Sequence, residues 1–424
     1  MKERRVVITG LGVVAPNGIG LQNFRSALKE GRSGIRFDQQ LADLQFSCQV
    51  SGTPPIDKEN LHEYFTDLEL RNFNSTGIMY GVIAGLDAWK DAGLEIPADE
   101  NPDWDSGTIF GAGTSGIEKF RESIYKIDAL QTRRLGSTAV SQTMNSGISA
   151  YLGGKLGLGN QVTTNSSACT TGTESILMAF DRIKSGKAKR ILAGSTSDSG
   201  PYIWAGFDAI KVCNFKSNEN PEKASRPMSA SAAGFVPGSG AGALVIEDLE
   251  SALARNAKIY CEILGGNINS GGQRGGGSMT APNSTAVQKC VKDALKDSGI
   301  EAKDIDYISG HLTATSKDAT EIQNLATALN RSGKNFPSIN SLKALTGHCL
   351  SAAASIECVA TVLQLSENFI APNINCEDLN EEISAMIDAD CIPLKLLEKE
   401  INIAAKVSFG FGDVNGCVIF KKYS

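Results

Sequence analysis

The chain has no positive charge to spare. Its 424 residues carry 41 Lys and Arg against 47 Asp and Glu, a formal net charge of −6. That balance excludes a general nucleic-acid binder, which needs a broad basic face. No apolar run reaches the ~20 residues of a membrane span. The run Val6-Val7-Ile8 is also too short for a signal peptide. The ten cysteines are scattered, without CxxC or zinc-like spacing. This excludes a metal finger or a disulfide scaffold and predicts a reduced, cytoplasmic protein with no metal and no cofactor. Gly10-Leu11-Gly12 lacks the third glycine and the following helix of a dinucleotide fingerprint. Histidine is scarce as well, with three in the chain: His62, His311 and His348.

Glycine is plentiful, with 44 residues. Strand-like and helix-like segments alternate throughout. Strands are expected at Arg5–Thr9, closing on Gly10-Leu11-Gly12, and at Thr108–Gly113, Arg190–Gly194 and Gly242–Glu247. Helices are expected at Leu21–Glu30, Asn72–Ala92 and Ser141–Leu156. A second unit repeats the pattern from Lys258 onward, with a helix expected over His348–Leu365 and strands over Ile401–Ser408 and Gly416–Phe420. Alternation of this kind implies an α/β fold with a largely parallel sheet. It divides the chain into halves at 1–256 and 257–424.

The stretch Gln161–Gly186 is the most informative. A β-prone run, Val162–Thr164, meets a turn of small residues, Ser166-Ser167-Ala168-Cys169-Thr170-Thr171-Gly172. A helix follows, with Ile176, Leu177, Phe180 and Ile183 on one face. Cys169 therefore stands at a helix N-terminus, where free N–H groups and the dipole favour a thiolate and a lowered pKa. A buried structural cysteine is the competing reading. The second half of the chain decides between them. His311 follows a strand directly, and His348 closes Lys343-Ala344-Leu345-Thr346-Gly347-His348. Strand ends and helix starts are where open α/β sheets place their sites.

With these motifs in hand, the sequence resembles the elongating β-ketoacyl-acyl-carrier-protein synthases, most of all the type called synthase II. The resemblance covers nearly the whole chain and rests on Ala168-Cys169, His311 with Thr313 and Thr315, Lys343 with Thr346-Gly347-His348, and Ser408-Phe409-Gly410-Phe411-Gly412. It implies a thiolase-like fold, two similar α/β halves in five layers (α-β-α-β-α), usually as a homodimer. It also implies a decarboxylating condensation on an acyl carrier protein. By the same resemblance Cys169 is the nucleophile, and the backbone N–H groups of Cys169 and Phe411 form the oxyanion hole. His311 and His348 match the pair that serves decarboxylation, and Lys343 and Glu357 the charged pair beside them. Thr280, Thr313 and Thr315 match residues that hold the pantetheine arm. Phe207 and Phe235 match pocket aromatics, and Phe411 a mobile gatekeeper. Thr114 falls where a bulky Ile often limits acyl length. Arg71, Arg133 and Arg134 are candidates for docking the acidic carrier.

Several positions depart from the pattern. Leu312, Asp413 and Val414 replace the usual Gly, Gly and Thr, Ser239 replaces an acidic residue, and Gly271–Gly277 is an unusual loop. These leave fatty-acid elongation and a specialised polyketide or polyene pathway both open. Two further readings compete. A chain-length-setting partner subunit of a heterodimer would lack the nucleophile. A thiolase acting on acyl-coenzyme A would want a second catalytic cysteine, and Cys417 lies within a predicted strand.

Overall fold

The computed structural model describes residues 4–423 except 57 and 99. Ten strands build the core. In the first half they are β1 Val6–Ala15, β2 Ser106–Ala112, β3 Val162–Thr163, β4 Arg190–Ser197 and β5 Gly240–Asp248. In the second half they are β6 Cys261–Ser270, β7 Tyr307–Ser309, β8 Ser338–Asn340, β9 Ile403–Gly410 and β10 Val414–Lys422. The first half pairs in the order β1-β5-β4-β2-β3 and the second in the order β6-β10-β9-β7-β8. Each half therefore arranges its strands 1-5-4-2-3, with the same antiparallel and parallel pairs. The halves are structural repeats of one another. They join where β1 runs antiparallel to β6, with Val6 opposite Ile263.

Seven helices complete the layers: α1 Thr76–Asp91, α2 Ile117–Asp128, α3 Gly147–Leu156, α4 Thr171–Lys184, α5 Ser284–Ser298, α6 Asp318–Leu329 and α7 Ala353–Glu367. α1 and α3 cover the outer face of the first sheet, and α5, with α6 packed on it, that of the second. α4 and α7 lie between the sheets and touch strands of both. This is the α-β-α-β-α sandwich. A helix in its middle has no solvent face, so α7 is apolar or small almost all round and buried from Ala353 to Leu365.

The sheet is mixed rather than largely parallel, because β1, β5, β6 and β10 pair antiparallel with their neighbours, and three local expectations also change. β1 does not end at Gly10-Leu11-Gly12 but continues to Ala15. A Cβ at Gly10 or Gly12 would strike the carbonyl of Ala88 or Ala84, so the glycines let α1 lie on the strand. The helix expected over Ser141–Leu156 is split into Ala139–Thr143 and α3. Met144 is extended, and a side chain at Gly147 would strike the Ser141 carbonyl. The helix expected from His348 begins at Ala353. His348 instead donates its N–H to Val236 O at 2.7 Å and accepts from Gly238 N at 2.9 Å.

Candidate active site

Cys169 sits in a 3-10 turn, Ala168–Thr170, that opens into α4. Ala168 has φ 49, a left-handed conformation uncommon for a residue with a side chain. It aims the next side chain into a cavity of about 630 Å³ between the halves. Gly172 lets the turn press on α7, where a Cβ would meet the Ser355 N–H. The cavity is lined by Cys169, His311, His348, Phe207, Phe235, Phe409, Phe411, Thr280, Thr313 and Thr315, among others. Residues from both halves thus converge on one sulfur.

The Cys169 Sγ and ring nitrogens of His311 and His348 lie within 4.8 Å of one another. The two imidazoles stand edge to face, centroids 5.4 Å apart. Phe235 packs on His348 at 5.2 Å and Phe409 on His311 at 5.9 Å. These apolar faces and the nearby Lys343 and Lys406 make a charged imidazole costly. Burial first, then the ammonium groups, holds both histidines well below 6.5. Leu350 donates its N–H to His348 Nδ1 at 3.2 Å. The proton therefore resides on Nε2, and His348 is a neutral donor.

The thiol departs from expectation. Burial outweighs the helix N-terminus and pushes Cys169 up to about 11. Lys343 and the backbone N–H groups of Phe411 and Cys169 act in the other direction. Those two N–H groups point toward the sulfur, the side on which the carbonyl oxygen of an acyl group bonded to Cys169 would lie. Gly410 makes this approach work, since its backbone lies against the Cys169 N–H.

Beneath the histidines, Lys343 Nζ is 2.6 Å from Glu357 Oε1, both fully buried. The sequence reading missed a third member of this cluster. Lys406 Nζ lies 3.0 Å from Glu357 Oε2. A lysine in an otherwise apolar strand, Ile403-Ala404-Ala405-Lys406-Val407, was the available signal. Two carboxylates were also missed. Glu321 accepts from the N–H groups of His311 at 2.6 Å and Leu312 at 2.8 Å. Asp318 accepts from Thr313 at 2.9 Å, and also from Ala314. Together they hold the loop that carries His311. Their i, i+3 spacing at the start of a helix after a histidine turn was legible.

The pantetheine and pocket candidates lie in the cavity. Thr313 and Thr315 hydroxyls are 3.1 Å apart. Phe411, Phe207 and Phe235 form a tilted, edge-to-face cluster, with centroids 5.8 and 5.6 Å apart. Thr114 is not among the lining residues; it is exposed just beyond the end of β2. Arg71, Arg133 and Arg134 are exposed and away from the cavity lining. The basic residues at its mouth are Lys211 and Lys317, which basic pairs in the sequence did not reveal.

Leu312, Asp413 and the glycine loop resolve into packing. Leu312 is buried in the apolar core of the second half, not in the cavity. Asp413 is fully buried with φ 63. Its carboxylate accepts from Gln273 N at 3.0 Å and Asn283 N at 2.8 Å. A side chain at Gly271 or Gly277 would strike that carboxylate. The unusual glycine loop and the unusual aspartate are thus one device. Gly412 N also donates to Met279 O at 2.8 Å, tying the Phe411 turn to the segment bearing Thr280. Cys417 is fully buried in β10 and does not reach the cavity, so a thiolase-type second cysteine is missing from the site.

This geometry has counterparts. The family model "Beta-ketoacyl synthase, N-terminal domain" matches residues 3–252, and "Beta-ketoacyl synthase, C-terminal domain" matches residues 260–377. The 3-oxoacyl-acyl-carrier-protein synthase 2 of Vibrio harveyi is 33% identical over 100% of this chain and 99% of its own. Synthase 1 of Escherichia coli K12 is 34% identical over 99% of each. Among solved structures, a type II polyketide ketosynthase in complex with its acyl-carrier protein and bound to a hexaketide has TM-score 0.88 at 26% identity, covering 100% of both chains. A β-ketoacyl synthase from Burkholderia phymatum STM815 has TM-score 0.88 at 27% identity, covering 99% of this chain and 100% of its own. With both domain models matched and a cysteine and two histidines gathered from the two halves, the chain belongs to the β-ketoacyl synthase family, with the thiolase-like fold of the solved ketosynthases.

Proposed function

We propose that this protein is a 3-oxoacyl-acyl-carrier-protein synthase, an acyltransferase that extends a fatty-acid or polyketide-type chain by decarboxylative Claisen condensation. The observation that carries the reading is the convergence of one thiol, two amide donors and two neutral imidazoles on one cavity. Cys169 Sγ attacks the acyl carbonyl, and the carrier thiol leaves with the proton. The negative oxygen formed on the way sits against the N–H groups of Cys169 and Phe411, each such donor being worth ~3–4 kcal/mol. A malonyl thioester then takes the carrier's place. Its carboxylate departs as CO2, and the electron pair left behind makes an enolate whose oxygen is held by the Nε2–H of His348 and by His311. The enolate carbon attacks the acyl carbon, the C–C bond forms, and the Cys169 thiolate leaves. Neither the buried histidines nor the chemistry calls for a cofactor.

The carrier's phosphopantetheine arm enters past Thr280, Thr313 and Thr315. Lys211 and Lys317 at the mouth are the docking cations for the acidic carrier, in place of Arg71, Arg133 and Arg134. The protein works as a dimer, with itself or with a related subunit. Support comes from the unpaired edge strand β3 and an exposed apolar face that includes Phe120, Ile124, Ile127, Leu130 and Val140. Thr114 lies just before α2, beside that face, and so sets acyl length only in the assembled protein. The ten free, buried cysteines suit a cytoplasmic setting.

The direct experiment supplies purified protein with malonyl carrier and a panel of acyl carriers. One CO2 and one 3-oxoacyl carrier per turnover are expected. Decarboxylation without condensation for every acyl group offered would defeat the proposal.

A further inference from the structure

Two lysines share one carboxylate in the middle of the molecule. Lys343, Glu357 and Lys406 are each at most 2% exposed. Glu357 gives one oxygen to each ammonium, at 2.6 and 3.0 Å. One negative charge cannot neutralise two positive ones, so the trio carries a net positive charge in the core. Burying a second lysine is costly relative to an apolar residue of similar length. Its neighbours Ala405 and Val407 pack as an ordinary buried strand. Core packing alone gives no reason for the charge.

We propose that Lys406 is a positioning residue of this active site: it clamps Glu357 against Lys343 and so holds the histidines, the Phe411 turn and the nucleophile helix in one positively charged frame. The inference rests on the synthase reading of the same site. Three contacts define the frame. Lys406 donates to the Val407 carbonyl and, at 3.1 Å, to Ser408 Oγ. Ser408 Oγ pairs with Thr173 Oγ1 at 2.9 Å, on α4 four residues beyond Cys169. Across the carboxylate, Lys343 opens the short helix that ends just before His348. Lys406 also stands four residues before Gly410 on β9, the strand that delivers Phe411.

Glu321, beneath the His311 loop, acts on Lys343, and burial pushes its carboxyl up to about 7, so it offsets only part of that charge at neutral pH. Glu357 and Cys358 face Lys406 from α7, Cys417 from β10, and His311 and His348 from the loops above; Tyr307 on β7 acts on Glu357. Burial pushes Cys358 up to about 12 and Cys417 well above the usual thiol range, so both stay neutral. Lys406 contributes to holding both imidazoles neutral, after burial and Lys343 at His348 and after burial, Lys343 and His348 at His311. A neutral imidazole is what donates to an enolate oxygen without surrendering a proton to it.

The test uses the full-length protein labelled with 15N-histidine, which has three signals, exposed His62 being the internal reference. Wild type is compared with Lys406→Met, Lys406→Gln and Lys406→Arg. In the Met and Gln variants the titration midpoints of His311 and His348 rise by about one pH unit or more. The Arg variant keeps the wild-type midpoints and retains CO2 release. A folded Met or Gln variant that melts earlier but leaves both midpoints in place overturns the proposal. Should neither fold, the Arg variant decides: displaced midpoints overturn it and unchanged ones support it. Failure of the synthase reading is separately visible, as wild-type protein that releases no CO2 from malonyl carrier whatever its histidines do.

Discussion

Leu350 donates its backbone N–H to Nδ1 of His348 at 3.2 Å, and this one bond assigns the imidazole's chemistry. With Nδ1 occupied as an acceptor, Nε2 holds the proton and faces the cavity as a donor. His348 is therefore not a base for Cys169. His348→Ala should lower decarboxylation by about 10²–10³-fold, the usual loss for one donor at a developing negative oxygen. Transfer of the acyl group to Cys169 should survive. Single-turnover measurement of the two half-reactions separates them, and equal losses in both would contradict the assignment.

The thiol makes a second prediction. Burial pushes Cys169 up to about 11 in the free protein. Its alkylation by iodoacetamide should climb about tenfold per pH unit from pH 7 to 10, with no plateau, because only the thiolate reacts. A plateau below pH 8 would show that the helix N-terminus prevails over burial.

Stability should depend on pH through the carboxylates under the His311 loop. Burial pushes Asp318 up to about 6. Burial, with the Asp318 charge, pushes Glu321 up to about 7. Both lie above the unfolded values of ~4. The folded chain then holds more protons than the unfolded chain between pH 4 and 7. The stability these groups contribute is complete below about pH 4 and is lost as pH rises through 6 to 7. His311 and His348, held below 6.5, act oppositely, and their contribution is lost as pH falls below ~6.5. Glu321→Gln should flatten the fall in melting temperature between pH 5.5 and 7.5. The same fall in the variant as in wild type would refute the role given to Glu321.

Asp413 ties the Phe411 turn to the glycine loop. Asp413→Gly relieves a left-handed backbone but removes two bonds to a buried carboxylate, so a net loss of about 1–3 kcal/mol is expected. With the tie gone, KM for acyl carriers should change more than the rate of the chemical step. Denaturant melts and steady-state kinetics read both effects. No change in either would make Asp413 a bystander.

Thr114→Ile should shorten the range of acyl chains accepted, through the assembled dimer. Acyl-chain profiling against wild type checks this, and an unchanged profile removes Thr114 from the specificity account.

Much of this was legible in the sequence. The Cys169 turn, the two histidines and the Gly410-Phe411-Gly412 turn each bear a local signature: small residues, a strand end, paired glycines. The alternation of strands and helices foretold an α/β fold, whereas the five layers followed from the family resemblance and the expected parallel sheet is in fact mixed. What escaped was set by contacts distant in the chain. Lys406 is one lysine in an apolar strand, and its partner Glu357 lies 49 residues away by their numbering. Gly10 and Gly12 read as a strand end because the helix that needs them begins at Thr76. The cysteine's acidity was misjudged because the sequence shows the helix N-terminus but not the desolvation around the sulfur. That Lys211 and Lys317 come together at the cavity is likewise a product of folding that no local motif announces.

The central claim is that Cys169 carries the acyl group. Intact-protein mass spectrometry after incubation with an acyl carrier tests it most directly. Wild type should gain the mass of one acyl group, mapped to the peptide containing Cys169 and discharged as 3-oxoacyl carrier when malonyl carrier is added; Cys169→Ala should gain none. An acyl group retained by Cys169→Ala, or a wild-type adduct that malonyl carrier does not discharge, would contradict it.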